Sequence, residues 1–88
     1  MDKIYVLTFI KVVNGSLKKV ETSISKDFQT LNDKMFADYA VLYDVHKQAK
    51  GTKITYNTMS SNIEMYVNTP DSLIHFSWNI STNKLLNN

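Results

Sequence analysis

TKITYNTMSSNIEMYVNTPDSLIHFSWNIS, residues 52–81, decides the fold. It divides into three runs, Thr52 to Met59, Asn62 to Asn68 and Leu73 to Ser81. Each alternates apolar with polar side chains, and Ser60-Ser61 and Pro70-Asp71 supply turn chemistry between them. Two-residue parity at both turns sets Ile54 opposite Val67, Tyr56 opposite Met65 and Thr58 opposite Ile63. Across the second turn Val67 meets Ile74, Met65 meets Phe76 and Ile63 meets Trp78. One face is thus apolar on all three strands. The other carries Lys53, Thr55, Asn57, Glu64, Tyr66, Asn68, His75, Ser77 and Asn79. Turn residues and face pattern agree, which is the signature of an antiparallel meander.

Upstream, Lys3 to Val13 is β-branched and aromatic and reads as a strand. Asn14-Gly15 tolerates positive φ at both positions and predicts a tight hairpin, with Leu17 to Ile24 returning. A regular two-residue loop places Phe9 opposite Val20, Leu7 opposite Thr22 and Tyr5 opposite Ile24. Between hairpin and meander lies a helix, capped by Ser25 or Asp27 and running to about Lys50, with Gly51 as its stop. Its apolar stripe is Phe28, Leu31, Met35, Tyr39, Leu42, His46 and Ala49, widened by Phe36, Tyr43 and Val45.

The expected architecture is α+β: β-β-α-β-β-β, with a single helix packed on a five-stranded antiparallel sheet in two layers. Residues 1–81 form one domain and 82–88 a frayed tail carrying Leu85 and Leu86. The first strand is apolar on both faces and belongs in the centre, with the second strand on one side and the meander on the other. The spacing leaves open whether the third or the fifth strand adjoins it, and which sheet face the helix covers.

The 88 residues include no Cys, Gly 2 and Pro 1, with 43% hydrophobic and a formal charge of +2. A chain this size buries roughly 64% of its unfolded surface, enough for one modest core. The counts exclude a disulfide scaffold, thiol chemistry, a collagenous repeat and a disordered chain. No run approaches the ~18 apolar residues of a membrane span, and the N-terminal apolar run is broken by Thr8 and Lys11 without a cleavage motif. Asn14-Gly15-Ser16 and Asn79-Ile80-Ser81 match a glycosylation pattern that has no role without export. A cytoplasmic protein with no membrane partner is expected. All ten basic residues are lysine. Without arginine, bidentate reading of phosphates and guanine edges is lost, which disfavours nucleic acid as a partner.

Four groups of residues invite a functional reading. Ile4, Val6, Ile10 and Val12 point away from Tyr5, Leu7 and Phe9, and Leu17 sits opposite Val12. If the helix covers the Tyr5 face, these five make an apolar interface for a partner protein or for a second copy in a homodimer. The alternatives are that Leu85 and Leu86 fold over them, or that the helix lies there instead. Lys11 and Lys18 fall opposite one another with Lys19 adjacent. That basic hairpin could contact nucleic acid, or its lysines could simply blunt a sheet edge. Glu64, Tyr66, His75 and Ser77 cluster on the polar face of the meander, where no nucleophile elbow or water-excluding cleft supports catalysis. His46 interrupts the helix stripe near its end, where it could titrate or bond a backbone carbonyl.

No metal-ligand spacing or phosphate loop is present, so no cofactor and no metal are expected. The reading is a non-enzymatic protein-interaction module. Short chains of this composition are frequent among phage and mobile-element accessory proteins that inhibit or regulate a host protein. A nucleic-acid-binding protein using the lysine hairpin is the alternative.

Overall fold

Periodicity in the sequence becomes six elements in the computed structural model, which describes residues 3–84. They are β1 (Lys3–Val13), β2 (Ser16–Ser25), α1 (Phe28–Lys47), β3 (Lys53–Met59), β4 (Asn62–Asn68) and β5 (Leu73–Lys84). The five strands form one antiparallel sheet in the order β2-β1-β5-β4-β3, with α1 packed on one face. The expected α+β architecture is therefore present, and β5 is the strand that joins the meander to β1. It runs three residues past Ser81, pairing Thr82, Asn83 and Lys84 with Tyr5, Ile4 and Lys3. The expected tail is strand as far as Lys84, and the rest of it lies outside the described residues.

Every cross-strand pair expected in the meander forms, from Ile54 opposite Val67 to Ile63 opposite Trp78. Its apolar face carries Ile63, Met65, Val67, Phe76 and Trp78, all at most 1% exposed. Burying side chains of this size contributes roughly 1.5–3 kcal/mol each, so this face is the main source of stability. From α1, Leu31 and Met35 enter the same core, with Phe28, Tyr39, Leu42 and Tyr43 packed around them. From β1 come Leu7, buried, and Tyr5 and Phe9, partly buried. Tyr5 stacks on Phe28 at 5.6 Å, and Phe9 lies 5.1 Å from the Trp78 ring. The helix thus covers the Tyr5 face of β1.

Local chemistry sets the helix ends. Asp27 is the N-cap: its carboxylate accepts from the Gln29 N–H at 3.3 Å and from the Thr30 hydroxyl at 2.7 Å. The Thr30 bond is the chief reason its carboxyl is held below the usual range. Ser25, the other candidate, accepts from the Asp27 N–H at 3.0 Å. The helix ends at Lys47, three residues before the expected Lys50. Gly51, with φ +78°, sits in the turn that follows. Asn14 also adopts positive φ, +50°. Its Oδ1 accepts from the Leu73 N–H and its own N–H donates to the Leu73 carbonyl, both at 2.8 Å. The hairpin turn is thereby fastened to the start of β5.

The β1–β2 pairing departs from expectation. Val13 pairs with Ser16 and Val12 with Leu17, as a two-residue turn requires, but the register then shifts, so that Lys11 pairs with Lys19. Lys18 is the extra residue of a β-bulge. Beyond it Ile10 faces Val20, Thr8 faces Thr22 and Val6 faces Ile24. The expected pairs of Phe9 with Val20, Leu7 with Thr22 and Tyr5 with Ile24 are each wrong by one residue, as is Lys11 with Lys18. Because side chains alternate with a period of two, a one-residue shift moves the part of β2 beyond Lys18 to the opposite face, while Ser16 and Leu17 keep theirs. Val20 and Ile24 leave the helix side, and Lys19, Glu21, Ser23 and Ser25 take it.

Candidate functional site

The bulge makes one face of β2 and β1 apolar. Alternation from Leu7 and Phe9 puts Ile4, Val6, Thr8, Ile10 and Val12 on the side away from α1, with Leu17, Val20, Thr22 and Ile24 beside them on β2. Leu17 is 62%, Val20 52% and Ile24 68% exposed, while Ile4, Val6, Ile10 and Val12 are half-buried by their neighbours alone. All five residues expected at an interface therefore share this open face. The helix does not lie over them, and Leu85 and Leu86 fall outside the described residues. Val20 and Ile24 were missed because their place depends on the bulge. β5 continues the face with His75, Ser77, Asn79, Ser81 and Asn83. Apart from His75, no paired position on this face of β2, β1 and β5 holds an ionisable side chain. Depletion of charge is what distinguishes the core of a protein interface from ordinary surface.

The polar cluster borders this patch. Glu64 on β4 accepts hydrogen bonds from His75 Nε2 at 2.7 Å, from the Ser77 hydroxyl at 2.7 Å and from Asn62 Nδ2 at 3.2 Å. The first bond requires the Nε2-protonated ring. Tyr66 stacks flat on His75, centroids 4.3 Å apart and planes within 3°. Burial raises the Glu64 carboxyl, but the bonds from Ser77, His75 and Asn62 outweigh it and hold the group below its ordinary value of 4.5. The carboxylate sits at the centre, receiving all three donors. The serine donates to the acid rather than to the imidazole, so the directed serine–histidine–acid chain of a triad is not formed. The geometry ties β4 to β5 and organises the border of the apolar patch.

The lysines of the hairpin separate. Lys11 and Lys19 face each other on the helix side, and Lys18 occupies the bulge. Lys19 pairs with Glu21 at 3.4 Å, and Lys11 lies 5.8 Å above the Phe76 ring. With no apolar side chain of β2 on this side, a groove of about 380 Å³ opens between β2 and α1. Phe9, Leu42 and Phe76 lie along it, with the Lys19–Glu21 pair on one wall and the Lys34–Asp38 pair on the other. The three lysines form no continuous basic surface. His46 Nδ1 donates to the Leu42 carbonyl at 2.8 Å, the local bond expected for a histidine at a helix rim.

No family model, curated protein or solved structure matches this chain. Among the described residues no group of three or more His, Cys, Asp or Glu is placed to hold a metal, and no helix is long and apolar enough to cross a membrane.

Proposed function

We propose that this chain is a non-enzymatic protein-interaction module whose working surface is the open face of β1 and β2. The observation that carries the reading is the bulge at Lys18. A regular hairpin on the same Asn14-Gly15 turn would direct Val20 and Ile24 into the groove beside α1 and would leave Lys19 and Glu21 on the open face. That arrangement would bury more apolar surface within the monomer. The observed register instead adds Val20 and Ile24 to Ile4, Val6, Ile10, Val12 and Leu17. Apolar area displayed in this way gains its stabilisation on association. A module of this kind acts by occupying a partner's surface, as an inhibitor or regulator does. The nucleic-acid alternative has less support, because Glu21 holds Lys19 and because Lys11 and Lys19 line a groove with two carboxylates.

The test is the effect of charge on the fold. A binding surface tolerates it and a core does not. The variant Val6→Lys/Ile10→Lys, in dilute solution, is expected to keep the near-ultraviolet circular dichroism of the wild type around Trp78. Loss of that spectrum in both the double variant and the milder Val20→Thr/Ile24→Thr would make the face part of the folding core and overturn the reading.

A further inference from the structure

The open face also specifies its occupant. Resting on the reading of this face as a binding surface, we propose that it packs against the same face of a second copy of this chain. The two sheets would stack at about 10 Å, giving a four-layer α-β-β-α assembly with both helices outermost. Three observations converge on a second copy.

The first is charge. A face that meets its own copy across a two-fold axis brings each charge near its equivalent, so net charge on the face opposes pairing. Here the paired positions of this face on β2, β1 and β5 hold no ionisable side chain apart from His75, which Glu64 engages at 2.7 Å. A partner selected by charge complementarity would find nothing to read on it.

The second is area. Strands of ten to twelve residues at ~3.3 Å per residue, three strands wide at ~4.8 Å, make a face of roughly 500 Å². Two copies then cover roughly 1,000 Å², the lower bound of a specific interface before β4 and β3 contribute. The centre is apolar. Asn62, Glu64 and Tyr66 of β4 stand along one border, which gives the apolar core and polar rim of a protein interface.

The third is the edge. β2 is a terminal strand whose backbone could otherwise recruit another chain. The bulge at Lys18 breaks its ladder, and Lys18 and Lys19 place charge beside the break. These are the devices that block edge-to-edge pairing. Association through the β2 edge, the edge that borders the apolar patch, is thereby disfavoured.

Sedimentation equilibrium and pulsed distance measurements test this together. The wild type is expected at twice 10.1 kDa, and Val20→Lys/Ile24→Lys at the monomer mass with native circular dichroism. Because the chain has no cysteine, Thr22→Cys on the open face and Ala37→Cys on the outer side of α1 each carry a single spin label. The Thr22 labels are expected closer together than the Ala37 labels. A wild-type monomer at every concentration, with the lysine variant folded, would overturn the second copy and leave the binding face standing. Closer Ala37 labels would overturn face packing in favour of another dimer. If the lysine variant does not fold, the wild-type mass and the two label distances still decide the proposal.

Discussion

Glu64→Gln isolates the charge at the centre of the polar cluster. The carboxylate accepts two bonds of 2.7 Å, from His75 and Ser77. Glutamine keeps the shape, and the serine hydroxyl or the imidazole tautomer can reverse to suit it. What is lost is the charge. Bonds to ionised groups are worth about 1 kcal/mol more than neutral ones. The Glu64 and His75 side chains are 27% and 31% exposed, so water screens part of this. The expected loss is about 1–1.5 kcal/mol at pH 7, or roughly a 1 M drop in urea midpoint followed by Trp78 fluorescence.

The pH dependence carries the sign. Glu64 is held below its ordinary value of 4.5 by hydrogen bonds that outweigh burial. Its contribution is therefore complete above that value and disappears as pH falls through the lowered value of the folded state. The gap between wild type and Glu64→Gln should close in acid. Equal stability at pH 7, or a gap of constant size down to acid pH, would refute the assignment of the carboxylate as a charged acceptor.

Leu7→Ala, at a position 2% exposed, should cost about 2–4 kcal/mol of unfolding free energy in urea titration. Asn14→Ala removes the bond to the Leu73 N–H and forces a β-carbon without a compensating side chain into φ +50°. About 1–2 kcal/mol should be lost in the same titration. Gly51→Ala meets both a φ of +78° and Pro70 Cγ at 3.1 Å, so the melting temperature should fall. Deleting Lys18 leaves a regular hairpin with every pair from Lys11–Lys19 onward preserved, so the fold should persist. With the edge no longer bulged, aggregation measured by light scattering should rise.

The meander was legible because two independent signals, turn residues at 60–61 and 70–71 and a period-two apolar pattern, agreed on one register. The helix was legible by its stripe, of which Leu31 and Met35 are buried, whereas Val45, 60% exposed, lies outside it. Strand adjacency was not legible. β5 joins β1 through pairing between residues some seventy positions apart, and nothing local encodes that choice. The bulge was not legible either. Asn14-Gly15 correctly predicts a two-residue turn, yet one unpaired residue four positions later reverses the face assignment of β2 from Lys19 onward. Leu17-Lys18-Lys19-Val20 offered no signal, although a bulge-free register sets Lys11 against Lys18. The bulge does not remove that repulsion, because Lys11 then meets Lys19. The open apolar face was half visible. Its β1 residues stood out as a second apolar face, and its β2 residues were hidden by the register.

The register of β1 against β2 is the claim on which the proposed binding face depends, and cross-strand nuclear Overhauser effects measure it directly. The account predicts Ile10 opposite Val20 and Val6 opposite Ile24, with no contact from the Val20 or Ile24 methyls to Leu42 or Asp38 of α1. Phe9 opposite Val20, with Val20 methyl contacts to the helix, would place these side chains in the groove and contradict it.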